Sequence, residues 1–131
     1  MWITEKAPSA EGPKQLYIDA RRIALTLREQ SAAGETPREM QALYQFWGYI
    51  LLRDFNAGMY DEFRKFALED AAKATPSLLG LRYLLKYYDR LINKPGPKPW
   101  PGERAAPEIF QLHFNEAMEM MNQASRATAG L

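Results

Sequence analysis

Arg82, Lys86 and Arg90 follow one another at i, i+4 and i+8. On a helix turning about 100° per residue, that spacing lines three cations along one stripe, with Tyr83 and Tyr87 just beyond it. From Thr75 to Lys98 five cations stand against Asp89 alone, a local net charge of +4. Cations beside aromatic rings suit single-stranded RNA, because phosphates meet the charges while bases stack on the rings. A solvated helix face with half-buried tyrosines has the same wording, so the stripe by itself leaves both readings open. Arg21, Arg22 and Arg28 could extend such a surface, although Asp19 and Glu29 beside them favour ordinary exposed positions.

Other chemistry is poorly represented. His113 stands with Glu116 and Glu119 at i, i+3 and i+6. Three ligands from one helix rarely close a metal site without a second element, so no metal is expected. No nucleophile with a base and an acid and no Gly-rich phosphate loop occurs, so neither an enzyme nor a cofactor is expected. The absence of cysteine rules out disulfides and thiolate chemistry.

The elements that must position these residues read as helices. The apolar residues Leu16, Ala20, Ile23 and Leu27 keep 3–4 spacing in a first helix over about Lys14–Ala33, stopped by Gly34. Thr36-Pro37-Arg38-Glu39 reads as a capping box with proline in the first turn. Met40, Leu43, Trp47, Ile50 and Leu51 carry a second helix to about Phe55. After the turn Asn56-Ala57-Gly58, the residues Met59, Phe63, Phe66 and Ala67 begin a third that runs to about Ala74. Thr75-Pro76 repeats the start signal, and Leu78, Leu81, Leu85, Tyr88 and Ile92 form the stripe of a fourth.

The two Thr-Pro starts lie 39 residues apart, close to the roughly 40–47 residues of stacked HEAT-type helix pairs. Five prolines between Asn93 and Pro107 forbid a regular helix and predict an extended connection. Trp100 within it is expected to pin the connection to the helical body. A fifth helix, over about Pro107–Arg126, would bury Phe110, Phe114, Ala117, Met118 and Met121. The expected fold is all-α: about five helices as two and a half HEAT-like helix-turn-helix repeats. Residues 1–12 read as a flexible lead-in, and 13–131 as a single repeat domain with a Pro-rich connection at 93–107.

Size and balance agree with that fold. The chain has 131 residues, 47% hydrophobic and 25% charged, with a net charge of +1. That is the balance of a globular domain, and any nucleic-acid or membrane attraction must come from a local patch. No basic stretch followed by an apolar run opens the chain, so no signal peptide is expected. Nor does an apolar run approach the ~18 residues of a membrane span. A cytoplasmic location without membrane association is the expectation.

The residues Leu43, Tyr44, Phe46, Trp47, then Phe55, Asn56, Met59, Tyr60, Glu62, Phe63, then Ala67 to Ala71 form a specific phrase. Over about residues 17–93 it resembles the C-terminal HEAT-like tandem-repeat region of La-related protein one. That region binds the capped 5′ end of certain mRNAs. The resemblance implies an RNA-binding module of a translation regulator, with single-stranded RNA at mRNA 5′ ends and translation-machinery proteins as partners. It places Arg21-Arg22 at the family's first arginine cluster, Arg53 one residue from another arginine, and Lys86-Tyr87-Tyr88 in the cap pocket. Departures follow. Gln45 replaces an arginine, Arg90 stands where a stacking tyrosine is expected, and Asn93 stands where a glutamate is expected. A methylated guanine is cationic and wants a carboxylate at its edge. The expectation is therefore RNA binding with cap recognition weakened or lost. A rebuilt pocket would use Tyr83 or Tyr87 for stacking and Asp89 as the carboxylate. A protein-interaction scaffold without RNA recognition is the alternative.

Overall fold

The computed structural model describes residues 11–94, 96, 98–100 and 107–129. Five helices follow in order: α1 (Glu11–Gln30), α2 (Arg38–Ile50), α3 (Ala57–Ala72), α4 (Leu79–Asn93) and α5 (Glu108–Ala129). No strand occurs among the described residues. The fold is two and a half HEAT-like repeats. In it α1 packs on α2 and α3 on α4, while α2 stacks on α4 and α5 closes against α4 and α3. Most of the expected lead-in, and residues 101–106 of the Pro-rich connection, lie outside the described residues.

The core is built from the stripes of α2, α3 and α4. Trp47, Met40, Phe63, Leu81 and Leu84 are fully enclosed. Trp47 Nε1 donates to the Tyr17 hydroxyl at 2.9 Å, so the indole N–H is satisfied where α1 meets α2. Gly80 is where the repeats come closest. A Cβ there would stand 2.5 Å from the Tyr44 ring, so only glycine lets α4 approach α2 this far.

The repeat period is written in the bonds between turns and helices. Arg21 bridges to Glu62 across 41 residues, Arg28 to Asp70 across 42, and the Thr36 and Ser77 hydroxyls pair across 41. The next step is longer: Tyr60 meets His113 across 53 residues and Arg64 meets Glu116 across 52. The extra length of about eleven residues is the Pro-rich connection. Its described end is tied down. The Phe55 amide donates to the Pro99 carbonyl at 3.2 Å, and Trp100 stacks on Phe110 with ring centroids 5.6 Å apart.

Several expectations need correction. Thr36 does not cap α2; Pro37 occupies the N-cap and no side chain bonds there. The Thr36 hydroxyl is taken sideways by Ser77, and Gln41 Nε2 holds the Thr36 carbonyl instead. The second Thr-Pro start lies before its helix, since α4 begins only at Leu79. Conversely, Asn56 is a true cap, accepting from the Met59 amide at 2.9 Å. α2 gives way to a turn after Ile50, short of Phe55.

The faces shift as well. On α1 the inward positions are Tyr17, Arg21, Ala24 and Arg28, while Leu16 and Ile23 of the apolar spacing stay exposed. On α4 the buried arc is Leu81, Leu84, Tyr87, Tyr88 and Leu91, leaving Leu78, Leu85 and Ile92 only partly covered. Because α4 touches α2, α3 and α5, its covered arc is wider than the single stripe a period count finds. On α5, Met118 is exposed and Met120 packs in its place.

Candidate nucleic-acid interface

α4 presents its outer side beside α2. Arg82, Lys86 and Arg90 are exposed there, and Tyr83 is half-buried. Facing them on α2 are Gln45 and Tyr49, the latter 57% exposed. Between the two helices lies a depression of about 260 Å³. Tyr83, Lys86 and Arg90 form one wall, Gln45 and Tyr49 the other, and Gly48 lies at its base with Tyr87. Gly48 leaves room: a Cβ there would meet only the edge of Phe63, at 3.8 Å.

Electrostatically the depression is one-sided. Arg82, Lys86, Arg90 and Arg53 take part in no ion pair among the described residues. No carboxylate lines the depression. Arg53 lies over the Tyr49 ring, 5.5 Å from its centroid, at the edge of the same surface. Asp89 is turned to its own helix end, accepting from Asn93 at 3.0 Å and standing 3.9 Å from Lys94. It does not line the depression, so the rebuilt pocket with Asp89 as carboxylate has no geometric basis.

Tyr87 also departs from expectation. It is 1% exposed and packs against Tyr60, Phe63 and Tyr88. Its ring is therefore part of the core and offers no open face for stacking. Its hydroxyl is buried without a hydrogen-bond partner among the described residues, and burial first, then Tyr88, pushes its pKa well above the usual tyrosine range. Sequence reasoning missed Tyr49, the most exposed ring here. Its signal was an aromatic outside the apolar stripe of α2, four residues before Arg53.

The α1 arginines go elsewhere. Arg21 donates to Glu62 from Nε at 2.8 Å and from Nη2 to the other carboxylate oxygen. Its charged state is favoured first by that hydrogen bond. Arg22 bonds weakly to Asp19, at 3.4 Å. Neither lines the depression. Arg28 is nearly enclosed between Asp70, at 2.9 Å, and Glu69, at 3.1 Å, and Tyr44 donates to Asp70 Oδ2 at 2.6 Å. Arg21 and Arg28 thus belong to a structural network between α1 and α3, and Arg22 is the one of the three that stays exposed.

The α5 acids and histidine are likewise engaged in packing. Tyr60 pairs with both Tyr88 and His113 Nδ1 at 2.6 Å. Glu116 receives Arg64 at 2.8 Å and Glu119 receives Arg126 at 3.1 Å. Burial pushes the Tyr88 hydroxyl up to about 12. Among the described residues no three His, Asp or Glu side chains gather as a metal ion would need. No described helix is long and apolar enough to cross a membrane.

A second surface is apolar. Leu16, Tyr17 and Ala20 of α1, with Ala42, Leu43 and Phe46 of α2 and Glu39 beside them, line a groove of about 430 Å³ between these two helices. Residues 10–95, which take in α1 to α4, match the family model described as the LARP1 HEAT repeat region.

Proposed function

The chain belongs to the LARP1 HEAT repeat region family, and on that premise we propose that it is an RNA-binding helical-repeat module of a La-related translation regulator. It contacts the 5′ regions of mRNA through charge and stacking, with cap recognition weakened or lost. The observation that carries this reading is the contrast in partners. Every cation of the α4 stripe is exposed and unpaired among the described residues, beside the rings of Tyr49 and Tyr83. Stripes that serve only solubility are commonly laced with opposite charges; here the one acid nearby, Asp89, turns to Asn93 and Lys94 and pairs with none of the three. Phosphates would meet Arg82, Lys86, Arg90 and Arg53 while bases stack on the two tyrosines. The weakened cap recognition follows from Arg90 and Asn93, which bring a cation and an amide where a cationic base needs a ring and a carboxylate.

Fluorescence anisotropy with a pyrimidine-rich RNA, capped and uncapped with a 5′-hydroxyl end, tests the reading. Equal, salt-sensitive binding that disappears when Arg82, Lys86 and Arg90 are reversed to glutamate is the expected result. No binding of either RNA would overturn it. A second reading, a scaffold for translation-machinery proteins, is favoured by the apolar groove between α1 and α2 and becomes the better account in that outcome. The site of action is proposed to be the cytoplasm.

A further inference from the structure

Resting on that RNA reading, we propose that the depression between α2 and α4 takes the 5′-terminal phosphate of an uncapped RNA. Three properties of the depression lead there. First, its charges have one sign: Lys86 and Arg90 line it, and no carboxylate does. A methylated cap would bring a cationic base against two cations, with nothing to accept hydrogen bonds from its edge. A terminal phosphate monoester reverses the sign of every term, carrying roughly −1.5 to −2 at pH 7 where an internal diester carries one negative charge.

Second, the neighbouring groups suit the rest of a terminal nucleotide. Tyr49 and Tyr83 stand on opposite walls and offer ring surface to the first base. The Gln45 amide can both donate and accept at a base or sugar edge. Tyr87 at the base keeps its proton at any working pH, so it adds no negative charge beneath an incoming phosphate.

Third, the depression is small. At about 260 Å³ it falls below the ~300–1,000 Å³ of sites that enclose drug-sized ligands, which is room for one phosphate group and its immediate neighbours. Arg82 on the same helix lies outside the depression and is left to meet the next phosphate. Arg90 and Lys86 would thus read the end, and Arg82 would hold the strand.

The test uses one pyrimidine-rich RNA in four forms: 5′-hydroxyl, 5′-monophosphate, 3′-monophosphate with a 5′-hydroxyl, and methyl-capped. Binding is read by anisotropy at fixed salt. The expected result is binding of the 5′-monophosphate form about tenfold tighter than the other three. The 3′-phosphate form matches it in added charge and so isolates position. Arg90→Ala and Lys86→Ala should each abolish the preference, while Arg82→Ala should weaken all four forms alike and leave the ratio intact. Circular dichroism of each variant checks that these exposed substitutions leave the helices in place. Equal binding of the 5′- and 3′-phosphate forms overturns the proposal and leaves the RNA reading standing. So does a capped form that binds tightest, or a preference that survives Arg90→Ala and Lys86→Ala. Failure of all four forms to bind overturns both.

Discussion

On α1, Arg21 and Arg28 reach across to Glu62 and Asp70 of α3; on α4, Arg82, Lys86 and Arg90 reach no carboxylate among the described residues. Both sets are basic and each keeps to one face of its helix. What separates them is what the neighbouring helix presents. The α1 arginines meet acids of α3, 41 or 42 residues on, and become part of the fold. The α4 cations meet no carboxylate among the described residues, and their charge faces outward. A cation in a repeat protein is therefore assigned to structure or to binding by the helix packed beside it, and its own helix does not reveal which.

The sharpest way to break this contrast is to remove the acid. Asp70→Ala would leave Arg28 with Glu69 alone and the buried Tyr44 hydroxyl unpaired. It should cost about 1–3 kcal/mol of stability, read as a fall in the urea midpoint. The triple change of Arg82, Lys86 and Arg90 to alanine should do the reverse. The urea midpoint should barely move, each surface change lying within about 0.5 kcal/mol, while RNA affinity at low salt falls on the order of 10–100-fold and the salt slope flattens by about two. A stable Asp70→Ala protein, or a triple variant that unfolds, would dissolve the distinction. Gly48→Ala probes the floor of the depression. The new methyl has room, and a mid-helix glycine costs ~1 kcal/mol against alanine. The variant should therefore be up to about 1 kcal/mol more stable while binding RNA less well, measured by melting and by anisotropy on the same sample.

The smallest effect concerns His113. Burial first, then Arg64, lowers its pKa below 6.5, against the opposing pull of Glu116 and Asp61. The unfolded chain then binds the proton more readily, so stability rises with pH in this window. The contribution is present above about pH 6.5 and lost as pH falls from there toward the lower folded value. Urea midpoints at pH 5.5 and 7.5 should differ more for the natural chain than for His113→Gln.

Much of this was legible in the sequence. Apolar spacing located five helices, the Thr-Pro interval disclosed the period, and the proline run marked the long connection. The inward face of α1 was not legible, because it is made of Tyr17, Arg21 and Arg28, whose partners are set by stacking and lie 30 or more residues away. Both Thr-Pro signals overstated capping, since Thr36 found a stronger claim from Ser77 in the next turn. Of the site, the α4 cations were legible from spacing alone. Tyr87 was misplaced because a helix covered on three sides buries more than one stripe. Tyr49 was overlooked because the facing wall of a site can be assigned only once α2 and α4 are known to be neighbours.

The ion pairs between first-position helices have a mechanical consequence. α2 and α4 form a spine, packed side by side. Along the opposite, fore-edge side, α1, α3 and α5 are held by clasps: Arg28–Asp70, Arg21–Glu62 and Arg64–Glu116. These clasps are graded. The first is nearly sealed, with side chains 10% and 5% exposed, and the last is open to solvent at 30% and 51%. Salt screens exposed charges far more than enclosed ones. Rising ionic strength should therefore loosen Arg64–Glu116 well before Arg28–Asp70, so that the grip of α3 on α5 depends on the solution as well as on the chain.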